Sequence, residues 1–289
     1  LFLLSSTGNK TDRIIFGFLS IGALLSMWLS NMAVAAMLMP LAKGILEDEG
    51  VKPLKSNFGK SLMIACAWGP AIGGIGTPAG AGPNPLAIGF LKEMAGIDIS
   101  FLQWMAFGIP AVILLLIPSW VVLVKFFPAE IKTLRLGSED LKKSYKGLSP
   151  MDREEKITVT IFLLTVVLWL TAPIFENLLK VDIPISMTVM FTAGLFFLPG
   201  LSKIPWKKVE KEMDWGSVIL VLAGISLGMT LHTTGAAQWL STLLLGGIGG
   251  LHVFLRILVV VLIVSGLKVV FCSNSVTATI VVPIMIALA

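Results

Sequence analysis

The chain has 289 residues, of which 56% are hydrophobic and 13% charged, and a net charge of +5. That balance excludes an ordinary soluble domain and indicates a polytopic membrane protein, whose solvent is the bilayer. The excess of base is no sign of nucleic acid, because Lys and Arg lie in short segments between apolar runs without an aromatic-basic patch, which is what membrane orientation requires.

The first apolar segment, Ile14 to Ala42, carries no charge. As one straight helix it would be roughly 44 Å long at about 1.5 Å per residue, too long for a simple crossing. A turn at Ser30-Asn31 instead makes residues 14–42 a re-entrant hairpin with both ends on one side, flanked by Lys10 and Arg13 before it and Lys43, Lys52, Lys55 and Lys60 after it. A broken helix is expected over 57–94 and a full span over 101–127. A cytoplasmic linker of both charge signs follows over 128–156. Spans are then expected at 157–175, 183–201 and 215–231, and a second hairpin, truncated, over 253–289. Each must be helical, since an open strand edge finds no partner in lipid.

This topology places every Lys and Arg on one side except Lys92, Lys180 and Arg256 on the other and Lys268 within the membrane, as the positive-inside rule expects. Residues 1–127 and 157–289 then form parts of two repeats of opposite topology. The predicted fold is an all-α polytopic membrane protein with inverted repeats, two re-entrant helical hairpins and a broken transmembrane helix, in the plasma membrane. No cleavable signal is visible before the first apolar run, and the chain reads as an internal fragment of a longer transporter.

Two polar tripeptides interrupt apolar runs at matching places, Ser30-Asn31-Met32 and Ser273-Asn274-Ser275, each with a proline ten residues after its serine, Pro40 and Pro283. Polar breaks in corresponding positions of two halves are the sequence mark of a transport site. Between Trp68 and Pro85 lie so many Gly and Pro residues that no regular helix continues. Unwound backbone at membrane depth is tolerated where it is buried in protein or lines a cavity, which frees carbonyls and amides for ions. A phosphate loop is a poor match, because no Lys-Ser or Lys-Thr follows the glycines. The plainer alternatives are a small-residue packing surface for the glycines, and helix caps or interhelical hydrogen bonds for the Ser and Asn residues.

These motifs resemble the divalent anion:sodium symporter family, carriers of dicarboxylates, tricarboxylates or sulfate. That family has a Ser-Asn-Thr at each of two hairpin tips and a broken helix reading roughly Gly-Gly-x-x-Thr-x-x-Gly-Thr-Pro-Pro-Asn. Ser30-Asn31-Met32 and Ser273-Asn274-Ser275 match the tips, Gly73 to Asn84 matches the broken helix, and Asp214-Trp215-Gly216 through Gly228 looks like the span before the second hairpin. The resemblance implies a first sodium site of Ser26, Ser30, Asn31 and a carbonyl near Gly80. A second site would fall at Cys272, Ser273 and Asn274. It also implies that substrate meets Asn31, Met32, Gly80, Ala81, Asn274 and Ser275. It further implies Na⁺ as coupling ion with no cofactor, an anionic substrate, a lipid environment, a homodimer and an elevator-like movement. Neutral oxygens suit Na⁺, and half-helix N-termini favour anions.

Met32 and Ala81 depart from the family pattern and remove hydroxyls, which predicts altered specificity. Lys268 and Val269 stand where an acidic residue and a threonine are usual. Lys268 either replaces the second cation, as a sodium-independent exchanger would allow, or snorkels to an interface or pairs with an acid elsewhere. An intramembrane serine enzyme is the alternative outside transport, and it needs a base within reach of the serine. His232 and His252 have no neighbouring acid or nucleophile in sequence and read as interfacial. Cys66 and Cys272 read as core residues, and Trp104, Trp169, Trp206 and Trp215 as interface anchors.

Overall fold

The computed structural model describes residues 9–51, 55–134, 150–180, 184–213, 215–245, 247, 252–270 and 273–288. Cys272, part of the second sodium site expected from sequence, and much of the 128–156 linker lie outside the described residues. Among those described, the chain forms twelve helices and no strand, beyond an isolated bridge between Lys10 and Thr133.

The helices in order are α1 (Thr11–Ser26), α2 (Asn31–Asp48), α3 (Asn57–Gly73), α4 (Pro83–Ala95), α5 (Phe101–Phe126), α6 (Arg153–Leu179), α7 (Ile185–Leu195), α8 (Trp206–Glu212), α9 (Trp215–Thr233), α10 (Ala236–Leu245), α11 (Val253–Val270) and α12 (Asn274–Leu288). Phe101–Phe126 and Arg153–Phe175 are each long and apolar enough to cross a membrane. The apolar run 183–201 is helical over Ile185–Leu195 and then passes into turns, with Gly200 at φ +87°. Eleven residues rise about 16 Å, short of a crossing. The helix beginning at Trp215 bends by 78° into α10, at Gly235 with φ +77°.

The chain divides into two compact units, one of Leu1–Ala81 with Ser100–Ile204 and the other of Gly82–Ile99 with Pro205–Ala289. In the first, α1 packs most extensively on α3, which also contacts α2 and α5. The core reflects helical periodicity: Ile14, Ile15, Phe18 and Leu19 of α1, Val34, Leu38, Ala42 and Ile45 of α2, and Phe58, Leu62, Ala65 and Cys66 of α3 are all buried. Glycine brings α1 and α3 into backbone contact. A Cβ added at Gly69 would lie 2.6 Å from the Leu19 carbonyl oxygen, and one at Gly73 would lie 2.0 Å from that of Ala23. This is the small-residue spacing by which membrane helices approach closely. The packing alternative therefore holds for Gly69 and Gly73 at the front of the glycine-rich run.

The N-terminus of α3 is held by the Glu130 carboxylate, which accepts from the Asn57 amide (2.5 Å), the Phe58 amide (3.2 Å) and the Ser56 hydroxyl (3.0 Å). Partial burial pushes this carboxyl up, but those donors outweigh it and hold the pKa down at about 2. Trp169 is no interface anchor. It is buried, stacks on Phe101 with centroids 4.4 Å apart, and donates to the Ile185 carbonyl at 3.2 Å.

In the second unit, α12 packs on α4, α9, α10 and α11. Here Gly224 and Gly228 of α9 permit close approach. A Cβ at Gly224 would meet Thr279 Oγ1 at 2.5 Å, and one at Gly228 would meet the Phe90 ring at 2.4 Å and Pro283 at 3.2 Å. Trp206 and Trp215 are exposed, and the Trp215 indole donates to the Glu210 carbonyl at 2.9 Å.

Candidate functional site

The polar tripeptides build the same local structure twice. Ser30 precedes α2 and its Oγ accepts from the Ala33 amide at 3.3 Å. Ser273 precedes α12 and its Oγ accepts from the Val276 amide at 3.4 Å. Each serine satisfies an amide that has no partner within its helix, as an N-cap does. In both cases the next residue, Asn31 or Asn274, opens the helix, and Pro40 or Pro283 lies inside it. A proline cannot donate to the carbonyl four residues earlier, here Ala36 and Thr279. The cap reading therefore describes both serines, while the asparagines have different partners.

At the first tip, the Asn31 amide faces three oxygens. With its nitrogen toward them, Nδ2 lies 3.2 Å from the Gly80 carbonyl, 3.2 Å from the Pro70 carbonyl and 2.5 Å from Ser26 Oγ, sharing two hydrogens among the three. The opposite orientation would set Oδ1 against both carbonyl oxygens and keep only a bond from Ser26 Oγ at 2.5 Å. Hydrogen-bond chemistry favours the first. Ser26 is fully buried and its hydroxyl reaches on to the Leu29 carbonyl at 3.4 Å. Residues 74–81 after α3 fold around the end of α1. The Thr77 hydroxyl donates to the Met27 carbonyl, and a Cβ at Gly80 would lie 2.7 Å from the Gly74 oxygen and 2.8 Å from the Ser26 oxygen.

The outcome is a cluster of uncharged oxygens, with Ser26 Oγ and the Pro70 and Gly80 carbonyls on the Asn31 amide and the Leu29 carbonyl beyond them on Ser26 Oγ, and with no carboxylate among them. No group of three or more His, Cys, Asp or Glu side chains capable of holding a metal occurs among the described residues. Such a donor set fits a hard monovalent cation and is wrong for a transition metal. Of the expected first-site residues, Ser26, Asn31 and Gly80 come together here. Ser30 caps α2 from an exposed position, and Met32 is 84% exposed.

Trp104 has a role that sequence reasoning missed. Its indole donates to the Ile75 carbonyl at 2.9 Å, so it ties α5 to the unwound segment and is no simple interface anchor. A Cβ at Gly108, one turn along, would come within 2.8 Å of the same oxygen. Pro70 was also missed, since it contributes through its carbonyl.

The second tip has different chemistry. Lys268 Nζ donates to Asn274 Oδ1 at 2.5 Å, and both belong to the second unit. In that unit a Cβ at Gly82 would be 3.2 Å from Ser275 Oγ, so the first residue after Ala81 lies beside the tip hydroxyl. An ammonium thus stands behind Asn274, whereas neutral oxygens surround Asn31. His252 Nδ1 accepts from the Phe254 amide at 3.4 Å.

Comparison with known proteins identifies the family. A model of the sodium:sulfate symporter transmembrane region matches residues 1–289. A sodium-dependent dicarboxylate transporter, SdcS, of Staphylococcus saprophyticus is 32% identical over 99% of the chain, and the SdcS of Staphylococcus aureus is 31% identical over 100%. The chain spans 58% of the length of each of these relatives. The family is one of transporters, which disposes of the intramembrane enzyme reading. With its apolar spans and paired asparagine tips, the chain is an integral membrane protein belonging to the sodium:sulfate symporter family.

Proposed function

We propose that this chain belongs to a secondary-active carrier of the plasma membrane that moves divalent organic anions, dicarboxylates foremost, coupled to Na⁺. The observation that carries the reading is the oxygen cluster around Asn31. A 180° turn of that amide would exchange its donor for an acceptor. Ser26 Oγ, Asn31 Oδ1 and the Gly80 carbonyl would then face an incoming Na⁺, while Nδ2 turned outward is free to meet a carboxylate oxygen. Cation and anion binding are coupled through one side chain in this scheme. Asn274, Ser275 and the backbone at Gly80 and Ala81 are the further anion-binding groups, with their amides, hydroxyl and N–H groups as donors. Support for the dicarboxylate comes from the two SdcS relatives, which are sodium-dependent dicarboxylate transporters. Inverted repeats, re-entrant hairpins, an elevator movement and a homodimer complete the proposal.

The test is uptake of radiolabelled succinate, citrate and sulfate by the full-length carrier in proteoliposomes, with and without an inward sodium gradient. Asn31→Ala and Asn274→Ala are each expected to abolish uptake while thermal unfolding in detergent stays cooperative. Unchanged transport by both variants would refute the site.

A second reading, sodium-independent anion exchange, is favoured by the Lys268 contact to Asn274. A fixed ammonium beside the tip supplies the positive charge that an ion otherwise brings. If so, Lys268→Thr converts exchange to transport that rises with Na⁺. Gradient-driven accumulation by the unaltered carrier would exclude exchange as its only mode.

A further inference from the structure

The face of α6 toward α7 in the first unit supplies no residue to the oxygen cluster around Asn31 and plays no part in the proposed transport chemistry. An open groove runs there, and Arg153, Lys156 and Thr160 form its polar lining. The lining is ordered by chemistry. Arg153 and Lys156 stand in the first turn of α6, at the end of a span of membrane-crossing length. Ile157, Ile161 and Leu164 continue the same helix face at spacings of four and three, with Leu195 and Leu201 opposite. One end is cationic and the rest almost wholly apolar.

The acids of that turn are engaged elsewhere. Asp152 and Glu155 form a capping box with the helix amides. The Glu154 carboxylate accepts from the Ser202 hydroxyl at 2.8 Å and the Lys203 amide at 3.2 Å. Arg153 donates through Nη2 to the Gly200 carbonyl at 2.9 Å, which holds the guanidinium in the groove lining, and it makes no ion pair among the described residues. Lys156 makes no ion pair among the described residues.

We infer that this groove is a binding site for an anionic phospholipid, with the phosphate on Arg153 and Lys156 and an acyl chain along Ile157, Ile161, Leu164, Leu195 and Leu201. A free phosphate would leave the apolar length of the groove unfilled, and a zwitterionic lipid would gain little from two cations. Basic pockets between membrane helices at the headgroup level bind acidic lipids by this combination.

Native mass spectrometry of the full-length carrier in detergent, with phosphatidylglycerol and phosphatidylcholine offered together, measures the preference. The carrier is expected to retain phosphatidylglycerol selectively. Lys156→Gln should reduce the preference about five-fold and Arg153→Gln with Lys156→Gln about 25-fold, from the contribution of each base near a membrane surface. Ile161→Trp, which fills the groove, should lower retention of both lipids. Lys207→Gln with Lys208→Gln, on exposed positions of α8, should leave the preference intact. Since Lys156 has no ion-pair partner among the described residues, its variant reports on lipid even if the Arg153 variant folds poorly. An equal loss in the α8 variant would mean diffuse attraction and overturn the site. So would an absence of preference in the unaltered carrier, or displacement of the lipid by millimolar inorganic phosphate.

Discussion

Gly73→Ala tests whether backbone contact between α1 and α3 builds the first tip. The added Cβ would stand 2.0 Å from the Ala23 carbonyl oxygen, 2.3 Å from its Cα and 2.5 Å from its carbonyl carbon, all backbone atoms that cannot rotate away. Restoring ordinary contact at 3.4 Å requires about 1.4 Å of separation between the helices at that point. Overpacking of this kind costs about 1–3 kcal/mol. Because Ser26 ends α1 and the unwound 74–81 segment begins directly after Gly73, the same displacement pulls Ser26 away from Asn31 and Gly80. A geometric loss of about 1 Å at a site can cost about 100-fold in rate. Gly89→Ala is the control, since a Cβ there meets nothing within 4 Å. It lies inside α4, where alanine is the better helix former by about 1 kcal/mol. Thermal unfolding in detergent and initial uptake rates in proteoliposomes should therefore diverge, with Gly73→Ala less stable and nearly inactive, and Gly89→Ala as stable or more so with uptake retained. Equal melting and equal uptake for Gly73→Ala and the unaltered carrier would refute the argument.

Other expectations follow from groups that hold α3 and the segment after it. The Glu130 carboxylate has its pKa lowered from 4.5 to about 2 by the donors at the start of α3, so its stabilisation is complete above about pH 4.5 and is lost as pH falls toward about 2. Glu130→Gln should lower the unfolding temperature at pH 6 and flatten its decline on acidification; an acid limb unchanged in the variant would remove this role. Trp104→Phe keeps the ring but deletes the bond to Ile75, with an expected cost of about 0.5–1.5 kcal/mol and slower uptake, whereas unaltered melting and uptake would show the bond to be idle.

The helix breaks at Ser30-Asn31 and Ser273-Asn274 were legible in sequence because their structure is local. A serine that caps an amide three residues on, and an asparagine that opens the helix, need no information from distant chain, and Ser30-Asn31 and Ser273-Asn274 repeat that pattern. The interruption between Trp68 and Pro85 was legible for the same reason, since Gly and Pro act on their own backbone. The extent of α7 was not, because an apolar run does not reveal where turns at Pro199-Gly200 begin. Trp169 misled because tryptophan suits either a membrane interface or an aromatic stack, and only its neighbour Phe101 decides between them.

Sequence by itself determined the solvent, the helical class, the place of the breaks and the residue types at the tips, all of which depend on composition and near neighbours. Tertiary structure alone decided which oxygens surround Asn31, that Gly69 and Gly73 meet α1 while Gly80 meets Ser26, that Trp104 holds Ile75, and that Lys268 reaches Asn274. The physical reason is that most of these partners are backbone carbonyls. Every residue carries one, so nothing in the identity of Pro70, Ile75 or Gly80 announces that its oxygen will be used until the helices are packed.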